Sequence, residues 1–306
     1  MTMSNIQNVT VVGAGLMGHG IAQIFLAAGY QVSLLDPNED VLSQAPTKIA
    51  EIFQLFGLPS DALTRLSTFT DLAQSVANAD LVIEAGPEKL AVKRSIFNEL
   101  AKHTSKDCIL ATNTSAIPIS DIAQGISHPE RIVGAHFWNP PHLVRLVEVV
   151  QGEQSSLAVI ATCIELLNSV GMKSVHVKRD IPGFIGNRLQ HAMKREAIAL
   201  VSAGVCDAET IDDVVKHGFG QRLAVLGPLE QSDLVGLDLT LDIYKTLFPT
   251  LDNTSQPPAL LEDNVANGRL GMKTGQGFRQ WTPQSAEQVK QNLRNFLVEK
   301  AKQQLS

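Results

Sequence analysis

"VTVVGAGLMGHGIA", Val9 to Ala22, joins a β-branched run to a glycine-rich turn and then to an apolar, helix-forming stretch. The turn reads Gly13-Ala14-Gly15-Leu16-Met17-Gly18, a G-x-G-x-x-G. Alone this hexapeptide is weak evidence, because it arises by chance. Its setting carries the information. It follows a strand pattern and opens a helix pattern, and the next apolar run, "QVSLLD", ends in Asp36, 18 residues beyond Gly18. Gly13 permits a tight turn, Gly15 lets backbone N–H groups approach a pyrophosphate, and Gly18 lets the helix lie close to the sheet. The helix N-terminus adds partial positive charge. A carboxylate at Asp36 is placed to accept hydrogen bonds from an adenosine ribose. "DPNED" offers no arginine for a 2′-phosphate, so NAD is expected rather than NADP, bound by residues 13–18 and Asp36. A glycine turn without a ligand is the bland alternative.

Outward from this turn, short β-branched runs alternate with helix patterns. "NVTVV", "QVSLLD", "ADLVIEA", "CILATN" and "RIVGAHF" read as strands, and "LVRLVEVV" and "SVHVKRD" add two more. Such alternation predicts a mainly parallel sheet covered by helices on both faces, a Rossmann-type α/β domain. "SSLAVIATCIELLNSVG" reads as a helix ended by Gly171. After "DIPGF" the pattern turns helical: "GNRLQHAMKREAIALVSAG", "DAETIDDVVKHGFG" and "EQSDLVGLDLTLDIYKTLF". Pro182-Gly183 marks the expected boundary. The predicted division is therefore 1–181 for the dinucleotide domain and 182–306 for an all-helical domain, with a ligand cleft between them.

The 306 residues suffice for two ordinary domains, and 44% hydrophobic content supports a sizeable core. Net charge is −6, which argues against nucleic acid as the main partner. The cysteines, Cys108, Cys163 and Cys206, lack the paired spacing of a zinc site, and no metal is expected. They read as free thiols of a reducing cytosol. No basic leader precedes an apolar core at the start, and no run of eighteen apolar residues suggests a membrane span, so a cytoplasmic protein is expected.

The chemistry-bearing stretch is "HFWNPPHLVRLVEVV", His136 to Val150. Alternation puts Leu143, Arg145, Val147 and Val149 on one strand face and Glu148 on the other with Val144 and Leu146. A carboxylate on an apolar face needs a partner, and His136, at the end of the preceding strand, is the candidate. A carboxylate on one imidazole nitrogen fixes the tautomer and favours proton uptake at the other, the arrangement that removes a proton from an alcohol as hydride leaves its carbon. A core histidine satisfied by backbone remains the alternative. In "GFIGNRLQHAMKREAIALV", Ile185, Leu189, Met193 and Ala197 are expected to form a core stripe, and Asn187 points away from it. An amide there is suited to bind a substrate oxygen, or simply faces solvent.

Taken together, these stretches resemble the 3-hydroxyacyl-CoA dehydrogenase family. The matching segments run nearly end to end and include "ADLVIEAGPE", "LATNTSAIPI", "DIPGFIGNRL", "GPLEQSDLVGLD" and "GRLGMKTGQGF". The resemblance implies reversible, NAD-dependent oxidation of a 3-hydroxyl to a 3-keto group, as in 3-hydroxybutyryl-CoA and fatty acid metabolism. It implies His136 as general base, Glu148 as its orienting partner, and Ser115 and Asn187 on the substrate's oxygens. It places Glu88, Lys93, Ser115 and Asn139 on the nicotinamide side of the cofactor, and Lys273 near the cofactor. It also implies a homodimer built by the C-terminal domain.

Three features depart from the acyl-CoA pattern. Family members acting on CoA thioesters commonly carry a lysine-rich helix after the second strand, whereas "EDVLSQAPTKIAEIFQLFGLPS" holds only Lys48. The usual Asn-Pro-Val-type step is Asn-Pro-Pro. "HGFGQRLAVLGPLE" is longer and more basic than the family's compact segment. It resembles the branch of lambda-crystallin and L-gulonate 3-dehydrogenase, and is similar to a pyridine-carboxylate dehydrogenase. These imply an alternative: the same chemistry on a small free hydroxy acid, with Arg222 as a two-point carboxylate anchor and Arg145 as a second candidate. A non-catalytic NAD-binding structural protein is a third reading, opposed by the joint presence of His136, Glu148, Ser115 and Asn187.

Overall fold

The computed structural model describes residues 6–304. Eight strands form one sheet: β1 (Asn8–Val12), β2 (Gln31–Leu35), β3 (Leu66–Phe69), β4 (Leu81–Glu84), β5 (Ile109–Thr112), β6 (Ile132–Phe137), β7 (Leu146–Val150) and β8 (Lys173–Val177). Their order is β3-β2-β1-β4-β5-β6-β7-β8. All neighbouring pairs are parallel except β6–β7, which is antiparallel. Successive strands are added on one side from β1 to β3 and on the other from β4 onward, and the glycine turn sits at that switch point, where open α/β sheets bind ligands.

Helices cover both faces. The helices α1 (Leu16–Ala27), α2 (Glu39–Phe56), α3 (Leu72–Ser75), α4 (Leu90–His103), α5 (Ile119–Ala123) and α6 (Leu157–Ser169) lie between strands in the chain. One core layer joins Ile21 and Phe25 of α1, Ile49 and Phe53 of α2 and Leu166 of α6 to Val9, Val11, Val147 and Val149. The other joins Phe97 and Leu100 of α4 and Ile119 and Ile122 of α5 to Val12, Val82, Leu110 and Val150. Strand side chains thus alternate between two apolar layers, which is why the strands read as near-continuous apolar runs. Asn38 caps α2 by accepting from the Asp40 and Val41 amides, and Glu39 and Asp40 favour its positive end.

The remaining helices are α7 (Gly186–Ser202), α8 (Ala208–His217), α9 (Pro228–Val235), α10 (Leu237–Leu247), α11 (Ala259–Ala266) and α12 (Pro283–Gln303). Two compact units emerge: residues up to Arg188 together with Asn295 onward, and Leu189–Arg294. By compactness alone, the division between these two units falls inside α7 and α12. Leu189–Arg294 holds only two buried residues among those described, Asn264 and Ala286. It contains a cavity of about 400 Å³ lined by Ile198, Val201, Ile211, Met272, Phe278 and Trp281, among others.

Three expectations are corrected. The strand expected from Leu143 onward begins only at Leu146, because the Leu143 and Val144 amides both donate to Pro140 O in a turn. Arg145 therefore shares no strand face with Val147. Its Nε donates to Gly171 O at 2.5 Å and its Nη1 to Gln304 O at 3.2 Å. The long helix expected over "EQSDLVGLDLTLDIYKTLF" is two helices, broken at Gly236 with φ 98°. β3, "LSTF", carries little strand signal in the sequence because it is four residues long and half-exposed.

Candidate active site

β6 and β7 pair so that His136 stands directly opposite Glu148. Nδ1 of His136 lies 2.8 Å from Oε2 of Glu148. Both residues are buried, at 5% and 1% exposure. The other oxygen of Glu148 accepts from the Ile185 and Gly186 amides, each at 3.0 Å. Burial pushes the Glu148 carboxyl up, but the His136 ring and the two amides outweigh it and hold the group below its ordinary value. An ionised Glu148 makes Nδ1 the protonated nitrogen of a neutral imidazole and leaves Nε2 as the one that can take a proton.

The amides reach Glu148 through an unusual turn. Phe184 is fully buried with φ 50°, in the left-handed region that a phenylalanine rarely adopts. It turns the chain so that two successive N–H groups face the carboxylate, and its ring lies 5.7 Å from that of His136. Trp138 lies at the same distance. A Cβ on Gly186 would stand 2.3 Å from Trp138 Cζ2, so only glycine lets α7 begin here.

Asn187 follows Gly186, and its Nδ2 donates to Ser115 O at 2.9 Å. Hence the first turn of α7 meets both halves of the site: Gly186 holds Glu148 and Asn187 holds the Ser115 turn. That turn is held from the other side by Glu88. Oε1 of Glu88 accepts from Thr114 Oγ1 at 2.6 Å, Ser115 N at 2.9 Å and Ala116 N at 3.1 Å. Burial raises the Glu88 carboxyl, while the Thr114 hydroxyl, the Lys93 ammonium and the two amides lower it, and the net effect is downward. Lys93 is 1% exposed and stands behind Glu88, with Nζ 2.9 Å from both oxygens of Glu84 and 3.4 Å from Glu88 Oε2. Asn139 is exposed just past Trp138.

The glycine turn fits a dinucleotide. Gly13 has φ 105°, and a Cβ on Gly18 would meet Gly13 O at 1.7 Å, so the turn and the start of α1 are in close contact. Gly15 is exposed, a Cβ there would meet nothing within 4 Å, and no side chain caps α1. This open, uncapped helix end is a fit for a pyrophosphate. Asp36 Oδ2 accepts from Ala14 N at 2.9 Å, which puts the ribose-binding candidate against the turn. Ala14 is buried, while Leu16 and Met17 lie in the first turn of α1.

Arg222 and Lys273 belong to the Leu189–Arg294 unit. Arg222 ends a 3-10 turn, Phe219–Arg222, is exposed, and has no ion-pair partner among the described residues. Lys273 is exposed between Gly271 and Gly275, both with positive φ. Glu84, Thr112, Thr114, Asn113 and Phe184 also belong to the site, although no motif in the sequence marks them. Asn113 Oδ1 accepts from Phe137 N at 2.8 Å, tying the end of β5 to the end of β6. Among the described residues no cluster of metal-ligating side chains occurs.

A switch-point glycine turn fitted to NAD and a buried carboxylate–imidazole pair in the same compact unit are the parts that an NAD-dependent dehydrogenase acting on a hydroxyl group needs. Comparison with known proteins gives the family. Residues 8–181 match the 3-hydroxyacyl-CoA dehydrogenase NAD binding domain and residues 183–281 the 3-hydroxyacyl-CoA dehydrogenase C-terminal domain. The chain belongs to the 3-hydroxyacyl-CoA dehydrogenase family. It is 34% identical over 298 residues, 96% of each chain, to 5-formyl-3-hydroxy-2-methylpyridine 4-carboxylate 5-dehydrogenase of Mesorhizobium japonicum. A crystal structure of a dehydrogenase of that pyridine acid, described as an NAD-dependent dismutase, matches with TM-score 0.91 and 32% identity, covering 98% of this chain and 99% of that one. The (S)-3-hydroxybutyryl-CoA dehydrogenase of Ralstonia eutropha matches with TM-score 0.76 and 31% identity, covering 91% and 100%.

Proposed function

We propose that this chain oxidises a hydroxyl β to a carboxyl-type carbonyl, reversibly, with His136 as base. The single observation that supports this reading best is the first turn of α7, which grips Glu148 through Gly186 and the Ser115 turn through Asn187. Glu148 holds His136 Nδ1, and Nε2 takes the hydroxyl proton. Ser115 and Asn187 orient the oxygen as it becomes a carbonyl oxygen. Bound NAD supplies the nicotinamide ring that accepts or returns hydride. Asp36 and the backbone of residues 13–18 hold its adenosine and pyrophosphate, Glu88, Lys93, Ser115 and Asn139 serve the nicotinamide side, directly or from behind, and Lys273 is a further candidate to approach the cofactor. The substrate is of the 3-hydroxyacyl-CoA type.

A specific observation favours a second reading, a small free hydroxy acid. The match to the pyridine-acid dehydrogenase covers nearly the whole of both chains at TM-score 0.91, and α2 carries Glu39, Asp40 and Glu51 against Lys48 alone, a poor surface for CoA phosphates. In that case Arg222 anchors the carboxylate. The separating experiment follows NADH formation with 3-hydroxybutyryl-CoA and then with L-gulonate, carnitine, 3-hydroxybutyrate and a pyridine carboxylate. Turnover of a free acid that collapses in Arg222→Ala, with no thioester activity, rejects the acyl-CoA substrate. A His136→Gln protein at full rate rejects the base.

The active form is a homodimer built by the helical unit. Leu189–Arg294 buries one apolar side chain, Ala286, while Val225, Leu229, Leu234 and Leu237 are 89%, 79%, 72% and 63% exposed. A second copy supplies the apolar cover that these helices lack. Sedimentation at twice 33.0 kDa, falling to one copy in Leu229→Asp/Leu237→Asp, is expected. A single copy for the unaltered chain rejects the dimer. No helix among the described residues is long and apolar enough to cross a membrane, and the free thiols suit a cytoplasmic setting.

A further inference from the structure

Glu84 ends β4 and is fully buried, and Lys93, on α4, is buried with it. Glu84 is saturated. Oε1 accepts from Lys93 Nζ at 2.9 Å and Gly86 N at 2.7 Å, and Oε2 accepts from Lys93 Nζ at 2.9 Å and Thr112 Oγ1 at 2.7 Å. Thr112 in turn accepts from Thr114 N at 3.2 Å. Lys93 then reaches Glu88 Oε2 at 3.4 Å, and Glu88 Oε1 holds the Thr114 hydroxyl and the Ser115 and Ala116 amides. A buried ion pair is costly to form and adds little stability over an apolar replacement of the same volume. This one contacts the Ser115 turn by two routes, through Thr112 and through Glu88.

We infer that Glu84 and Lys93 are positioning residues, a buried ion pair that fixes Glu88 and thereby the Ser115 turn for hydride transfer. The inference rests on the dehydrogenase reading of the site. Lys93 acts on the cofactor side only through Glu88, since its ammonium lies below the surface. Glu84 keeps that ammonium from drawing Glu88 off the Ser115 and Ala116 amides. Removing the Glu84 charge leaves Lys93 with Glu88 as its one carboxylate and pulls the turn out of register. Removing both charges leaves Glu88 on its three remaining donors, a milder loss.

The test compares Glu84→Gln with Glu84→Gln/Lys93→Met, using amide hydrogen exchange of residues 114–117, NADH binding by fluorescence, and kcat and KM. Glu84→Gln is expected to speed exchange at 114–117 at least tenfold and to lower kcat at least tenfold, with KM changing less than threefold. The double variant should recover most of both. If Glu84→Gln fails to fold, the double variant, which buries no lone charge, is read alone: a two- to tenfold rise in exchange with a parallel fall in kcat supports the inference. Exchange unchanged at 114–117, or a fall in melting temperature with kcat within twofold, overturns it. Failure of the underlying reading looks different: an unaltered chain that binds NADH and forms none from any hydroxy acid or thioester, while exchange at 114–117 still responds as expected.

Discussion

Replacing Glu148 by glutamine tests the reaction centre most directly. The side chain keeps its shape, so the perturbation is one of charge and hydrogen-bond direction. Oε1 faces two backbone donors, Ile185 N and Gly186 N, and must remain an oxygen. The new amide nitrogen is therefore forced toward His136 Nδ1, now 2.8 Å from a donor instead of an acceptor. Nδ1 must then accept, the proton moves to Nε2, and the nitrogen that should take the hydroxyl proton already carries one. The same inversion of a histidine tautomer costs about 10⁴ in kcat in the serine protease triad, and a positioned general base contributes roughly 10²–10⁴. A loss of about 10³, near 4 kcal/mol of barrier, is expected here. Stability should fall much less, by about 1–3 kcal/mol, because three hydrogen bonds persist and only their charge is lost. The assay is NADH absorbance with whichever substrate the unaltered chain oxidises, paired with thermal unfolding. A variant within tenfold of the parent rate, still bell-shaped in pH, refutes the assignment of His136 as base and Glu148 as its steering group.

Gly186→Ala should lower the melting temperature and the rate together, since its Cβ would stand 2.3 Å from Trp138 Cζ2 and shift the two amides off Glu148; unchanged unfolding would show that the start of α7 has slack. Gly15→Val should leave unfolding within about 0.5 kcal/mol, because a Cβ there meets nothing within 4 Å, yet weaken NADH binding at least tenfold by fluorescence titration. Tight binding would place the pyrophosphate elsewhere. His19 on α1 is buried, and burial, with the Lys48 charge helping, outweighs the nearby Gly15 and Ala14 backbone and holds its ring below the ordinary histidine value. Below about pH 6.5 the unfolded chain then binds a proton that the folded chain refuses, so stability should fall as pH drops through that window. His19→Gln should flatten this slope in urea unfolding between pH 7 and pH 5, and an unchanged slope would assign it to other groups.

The parts of this site legible in the sequence are those whose signal is periodic or local. Gly13, Gly15, Gly18 and Asp36 sit at spacings that one strand–turn–helix unit imposes, and the structure puts Asp36 against the Ala14 amide. Glu148 stood out because a carboxylate on an apolar strand needs a partner, and the antiparallel register supplies His136. The same physical reasoning, applied to "LVIEA", would have raised Glu84, whose carboxylate ends an otherwise apolar strand. Its partner could not be named, however, since Lys93 approaches from the next helix and only the packing of α4 on the sheet brings the two together. The strand limit at Leu146 was hidden for a related reason: alternation continues through "HLVRLV" while Pro140 O captures two amides and bends the chain. Phe184 was the least legible of all. Nothing in its side chain announces a left-handed backbone; that conformation exists because Ile185 and Gly186 must both donate to a buried carboxylate 37 and 38 residues earlier in the chain. Local patterns thus revealed which groups could react, whereas the groups that hold them in place are defined by contacts between distant segments. For that reason the positioning residues of this site, Glu84, Lys93 and Phe184, are where variants will report most sharply on whether the assembled geometry, and not merely the set of reactive side chains, sustains the reaction.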